Sequence, residues 1–122
     1  MAKRTYSCGI EAALAVIGGK WKFLILWHLA NKPSRFGELR RLVVGISEKM
    51  LIQELKEMIS DQIVRRKDFQ EIPPRVEYSL TSFGKTLAEA LVPLCEWGSL
   101  HMKRISSLPT QSVPVSRELK LR

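Results

Sequence analysis

Cysteine is almost absent from this 122-residue sequence: there are two, Cys8 and Cys95, far apart along the chain. A pair so placed excludes a disulfide scaffold. No apolar run approaches the ~20 residues needed to span a bilayer. The opening Met1-Ala2-Lys3-Arg4-Thr5-Tyr6-Ser7 leads into no apolar stretch with a small-residue cleavage site, so a cytoplasmic chain is expected. Histidine is equally scarce, with only His28 and His101. Cys95 and His101 stand six residues apart, which puts them on different faces of a helix, and no metal site is expected. No base and orienting group accompany Cys8, as a thiol enzyme would require. Neither an enzyme nor a bound cofactor is therefore expected. Acidic residues are outnumbered 12 to 20 by basic ones.

What is present is a globular composition. Hydrophobic residues make up 45% of the chain, enough for one modest core. The net charge of +8 and pI near 9.9 point to a polyanionic partner, of which nucleic acid is the commonest. The positive charge is spread along the chain rather than gathered in a block, so its placement on the fold has to decide.

The hydrophobic pattern places the elements. Ile10 to Ile17 is Ala-rich and apolar and suits a short buried helix that Gly18-Gly19 ends. Lys20 to Ala30 carries apolar side chains on nearly every side and must be covered on every side, by the core and by a partner subunit. Asn31-Lys32-Pro33-Ser34 stops it. Arg35 to Val43 is a third helix with a stripe of Phe36, Leu39 and Leu42 or Val43. After the turn Val44-Gly45-Ile46, Ser47 stands where an N-cap belongs, with Glu48 in the first turn. The fourth helix, Glu48 to Ser60, turns Leu51, Leu55, Met58 and Ile59 inward and Lys49, Ile52, Gln53, Lys56 and Glu57 outward.

Beyond Asp61-Gln62 the period changes to that of strands. Ile63 to Gln70 and Arg75 to Leu80 form a hairpin around Glu71-Ile72-Pro73-Pro74, with Val76, Tyr78 and Leu80 on the covered face of the second strand. Thr81 caps a last long helix. Its apolar seam runs from Phe83 through Leu87, Leu94 and Gly98 to Ile105, and Pro93 predicts a kink. The segment 107–122 loses all periodicity and reads as a mobile tail after a single domain over 1–106.

The fold class is mainly α with one small β-hairpin, in the order α-α-α-α-β-β-α. That is the order of a winged helix-turn-helix, in which one helix enters the major groove and a basic hairpin reaches the adjacent backbone or minor groove. Several short motifs in this order resemble the HxlR-type regulators, winged-helix proteins related to MarR-type regulators. They are Ile17-Gly18-Gly19-Lys20-Trp21-Lys22, Arg35-Phe36-Gly37-Glu38-Leu39-Arg40, Gly45-Ile46-Ser47-Glu48-Lys49-Met50-Leu51, Pro73-Pro74-Arg75-Val76-Glu77-Tyr78, Leu80-Thr81 and Trp97-Gly98. The resemblance implies a homodimer built through the first and last helices, a recognition helix opening at Ser47, and transcriptional regulation, more often repression. It also implies that some members sense electrophiles or oxidants through a cysteine at the position of Cys8. The residue that follows is commonly proline in that family and is Gly9 here.

The candidate DNA contacts are Arg35, Ser47, Lys49, Gln53, Lys56 and Arg75. Lys49, Gln53 and Lys56 share the outward face of the fourth helix, where they either meet base edges and phosphates or form an ordinary solvated face. Ser47 caps and can also touch a phosphate. Arg35 either clamps a phosphate or pairs with Glu38. Arg75 reaches a groove or is held on the surface by Glu77. Arg65, Arg66 and Lys67 cannot all face DNA, because a strand alternates. Cys8, beside Lys3, Arg4 and a helix N-terminus, is either a redox sensor or a small hydrophobe. The expected partners are double-stranded DNA, a second copy of the chain and a small-molecule effector, with no membrane. The competing reading is a winged helix that serves only as an adaptor for other proteins.

Overall fold

The computed structural model describes residues 4–110. The order is α1 (Gly9–Ile17), α2 (Lys20–Asn31), α3 (Phe36–Leu42), α4 (Glu48–Ser60), β1 (Val64–Asp68), β2 (Val76–Leu80), α5 (Ser82–Leu100) and α6 (Met102–Ser106). This is the expected winged-helix order with one short helix added after His101. The helix α5 includes Pro93 and stops at His101, whose φ of −106° and ψ of 13° leave the helical region. The described residues pack as two units, divided between Ala90 and Leu91. Among the described residues no helix is long and apolar enough to cross a membrane, and no group of three or more His, Cys, Asp or Glu could hold a metal ion. The predicted tail lies, from residue 111 onward, outside the described residues.

In the first unit the core is built around α2. Ile25, Leu26 and Leu29 are buried, as are Leu39 and Val43 of the α3 region, Leu51, Leu55 and Met58 of α4, and Ile63, Val64 and Leu80 of the hairpin, and α2 lies against α3, α4 and β2. Burial at i, i+4 and i+7 along α4 is the helical period read from the sequence. The hairpin is antiparallel with Val64 opposite Leu80, Arg66 opposite Tyr78 and Asp68 opposite Val76. It is tied to the α2–α3 linker by a reciprocal pair: Ser34 N–H donates to the Tyr78 carbonyl (2.9 Å) and Tyr78 N–H to the Ser34 carbonyl (2.8 Å). Ser34, itself buried, thereby docks the wing against the helical layer.

Two expectations need correction. The first helix is not buried: Ile10 is 73% and Leu14 62% exposed, because nothing in the described chain covers that face. In α2, Ile25, Leu26 and Leu29 are buried and Trp27 stands partly in solvent, a face left for the expected partner subunit. In β2 only Leu80 is buried, while its other residues on both faces are half-buried. The linker pairing at Tyr78 and the folding of Arg75 over Glu77 cover parts of both faces, so alternation blurs.

The second unit starts inside α5 and carries Leu94, Trp97, Leu100 and Ile105 as exposed apolar side chains. Trp97 and His101, one turn apart, hold their rings 4.9 Å apart.

Candidate nucleic-acid interface

The fourth helix begins as the sequence predicts. Ser47 has extended φ/ψ, and its Oγ accepts a hydrogen bond from Met50 N–H (3.0 Å). This satisfies one of the donors that every helix leaves open at its start. The hydroxyl hydrogen is not consumed and stays available for a phosphate oxygen. Ser47→Ala is expected to lower stability by about 1 kcal/mol. A urea titration followed by circular dichroism checks it, with the midpoint falling and the slope unchanged.

The turn before α4 is shaped by Gly45, whose φ of 92° lies in the left-handed region. A side chain there would also approach the Trp21 ring, 3.8 Å from the position of its Cβ. The two helices of the motif are bridged by Arg40 and Glu48 at 3.5 Å. Both side chains are exposed, so this link orients more than it stabilises.

Lys49, Gln53 and Lys56 fall at i, i+4 and i+7, all exposed, on the side of α4 away from Leu51, Leu55 and Met58. Neither lysine has an ion-pair partner among the described residues. Gln53 is engaged: its Nε2 donates to Glu57 Oε2 at 2.7 Å. Glu57 in turn accepts from Lys22 of α2 through its other oxygen. That ammonium, 13% exposed, also lies 3.7 Å from Glu54. The hydrogen bond from Lys22, and after it the one from Gln53, hold the Glu57 carboxyl below the usual carboxylate range.

Arg35 is the N-cap of α3. Its backbone N–H donates to Glu38 Oε1 (2.8 Å), and this bond lowers the Glu38 carboxyl pKa more than any other influence. The expected pairing with Glu38 is thus made by the backbone. The guanidinium is exposed and has no ion pair among the described residues.

Arg75 differs. It donates from Nε and Nη2 to the two oxygens of Glu71 and from Nη1 to Glu77, each at 3.2 Å. Its Cζ lies 3.5 Å from the centre of the Phe69 ring, with Lys67 Nζ 4.7 Å from the same ring. Of the six candidate contacts, it is the one whose charge is already answered locally. It braces the wing tip, where Phe69 N–H also donates to the Arg75 carbonyl at 2.9 Å.

The sequence left open which of Arg65, Arg66 and Lys67 stands beside α4, and the structure answers with Arg66. The register puts it opposite Tyr78, and it lines the same hollow of about 320 Å³ as Lys56, Ile52 and Phe36. A wing cation therefore stands beside the outward flank of α4. Its alternation with Val64 was a usable signal once the strand began at Val64. Lys22 and Glu57 were missed because their pairing joins two helices 35 residues apart.

Cys8 is exposed and is the N-cap residue of α1. Arg4, close to it in sequence, is paired with Asp61 at the end of α4. Cys95 is half-buried in the second unit.

Comparison with known proteins places this geometry in context. A family model described as HxlR-like helix-turn-helix matches residues 16–106. The uncharacterized HTH-type transcriptional regulator YtcD of Bacillus subtilis is 44% identical over 105 residues, covering 86% of this chain and 83% of YtcD. Among solved structures, the redox regulator HypR in its reduced form matches with a TM-score of 0.77 and 40% identity, over 83% of this chain and 100% of that one. The reduced transcriptional regulator YodB from B. subtilis matches with a TM-score of 0.69 and 32% identity, over 81% and 98%.

Proposed function

This chain belongs to the HxlR-like helix-turn-helix family of transcriptional regulators, and we propose that it works by binding double-stranded DNA as a homodimer, one α4 in each of two successive major grooves. One observation carries the reading. One face of α4 is consumed by the core, while the opposite face offers Lys49, Gln53 and Lys56 to solvent, with both lysine charges unspent among the described residues. Such a face supplies phosphate attraction from lysine and base-edge hydrogen bonding from glutamine. Arg35, Ser47 and Arg66 add backbone contacts around it, and Arg75 contributes by holding the wing in shape.

Dimerisation covers the exposed Ile10 and Leu14 of α1 and the apolar residues of the last helices, which are otherwise left in water. Residues 1–106 act as the DNA-binding and dimerising part, with 107–122 appended. Bound at a promoter, the dimer represses. An exposed Cys8, together with likeness to a regulator described as a redox regulator, supports control by thiol oxidation; a small-molecule effector is the other route.

Selection of bound fragments from genomic DNA tests the core of this reading. A small set of fragments should be enriched, and affinity for them should fall about 10³-fold or more between 50 and 200 mM salt if six or more phosphates are contacted. Binding no tighter than to random DNA would overturn it.

A further inference from the structure

Gln53 is the one candidate base reader whose amide has two faces of opposite character, an acceptor oxygen and a donor nitrogen. Which face it offers to DNA is settled inside the protein. Its neighbour one turn on, Glu57, divides its two carboxylate oxygens: Oε2 accepts from Gln53 Nε2 at 2.7 Å, and Oε1 accepts from Lys22 Nζ. An ionised carboxylate only accepts, so the glutamine must turn its nitrogen toward it and its oxygen away. Lys22 is mostly buried, projects from α2, and lies near Glu54 as well, so Glu57 is anchored to the layer beneath α4. The chain of contacts therefore runs from the core-facing side of the motif to its outer face: Lys22, Glu57, Gln53.

We propose that Lys22 and Glu57 are positioning residues for sequence recognition: without touching DNA, they fix the Gln53 amide so that it presents Oε1 as an acceptor, with one remaining N–H beside it, and so selects adenine. Adenine alone offers an amino donor and a ring-nitrogen acceptor side by side in the major groove. A glutamine free to rotate must be ordered on binding and can equally offer the reversed pair, whereas one held in place loses less freedom and rejects the reversed pattern. This rests on α4 being the DNA-reading helix.

The test is the base preference at the position read by Gln53, measured by competitive selection from a randomised operator. The wild type should favour adenine there by about tenfold, and Gln53→Ala should abolish that preference. Glu57→Gln keeps the shape but can accept or donate, so it no longer dictates the amide orientation. It should reduce the preference by about three- to tenfold, with affinity for random DNA and the melting temperature close to wild type. Combined with Gln53→Ala, it should change the preference no further. Lys22→Met, which leaves both α4 side chains in place, should weaken the preference in the same direction.

Unchanged adenine preference in both Glu57→Gln and Lys22→Met would overturn the proposal. So would an equal loss of affinity for every sequence with lowered melting, the mark of a purely structural pair. If the wild type enriches a sequence whose preferences all survive Gln53→Ala, the positioning role fails while DNA reading by α4 stands. If it enriches no sequence at all, both fail.

Discussion

Replacing Lys49 and Gln53 together by alanine should lower affinity for a selected operator by at least about 100-fold, with circular dichroism and dimer size unchanged. The size follows from chemistry at two half-sites. A well-placed bidentate side chain contributes about 1–3 kcal/mol of discrimination, and a homodimer presents each reader twice. Removal of one lysine per subunit should also flatten the salt dependence by nearly two units of slope, one per phosphate released. The fold should tolerate both changes because the two side chains are exposed and contribute nothing to the core. Gln53 gives up only its bond to Glu57, which Lys22 continues to hold. An adaptor that merely docks on other proteins would be indifferent at the DNA level. Gel-shift titrations of wild type and variant on the same fragment separate the two.

The second large effect concerns stability. Gly84→Ala should destabilise the chain by about 3 kcal/mol, or roughly 10–20 °C in melting temperature for a domain of this size. A methyl group there would sit 2.2 Å from the Ile63 carbonyl oxygen, backbone against backbone, with no flexible side chain to yield. That oxygen is also fixed in place. It accepts from Thr81 N–H at 3.0 Å, while Thr81 Oγ1 donates to the Gln62 carbonyl at 2.6 Å and accepts from Gly84 N–H at 2.9 Å. These bonds lock the first turn of α5 onto the start of the wing, so the clash cannot be relieved without breaking them. Helix propensity favours alanine by at most about 1 kcal/mol and does not offset this. Gly37→Ala is the matched control. It too lies in the first turn of a helix, but its added methyl would meet only Arg41 Nη1 at 3.7 Å. It should leave stability unchanged or raise it by up to about 1 kcal/mol.

Much of this was legible in the sequence. Ser47 followed by Glu48 and a helical apolar period marked the start and inner face of α4, and Thr81 marked the start of α5, because caps and periodicity are local. The hydrophobic period and turn residues set the order of elements, and the resemblance motifs were right about the family. What the sequence did not give shares a cause, which is dependence on partners distant in sequence. Ile10 and Leu14 were read as buried because they are apolar, yet burial depends on whether a surface exists to cover them. For Arg75 the sequence left a groove contact and a hold by Glu77 both open; the structure pairs it with Glu77 and Glu71 over the Phe69 ring. The Lys22–Glu57 link depends on how α2 lies against α4, which no spacing encodes.

The central claim, that α4 of each subunit lies in its own major groove, can be read directly on DNA. In a Cys8→Ser, Cys95→Ser background, Lys49→Cys carries an iron–EDTA cleavage reagent, and the protein is bound to its selected operator. Two clusters of strand cleavage about one helical turn (~34 Å) apart, symmetric about the operator centre, are the expected result. Diffuse cleavage along the fragment, or cleavage confined to one locus, would contradict it.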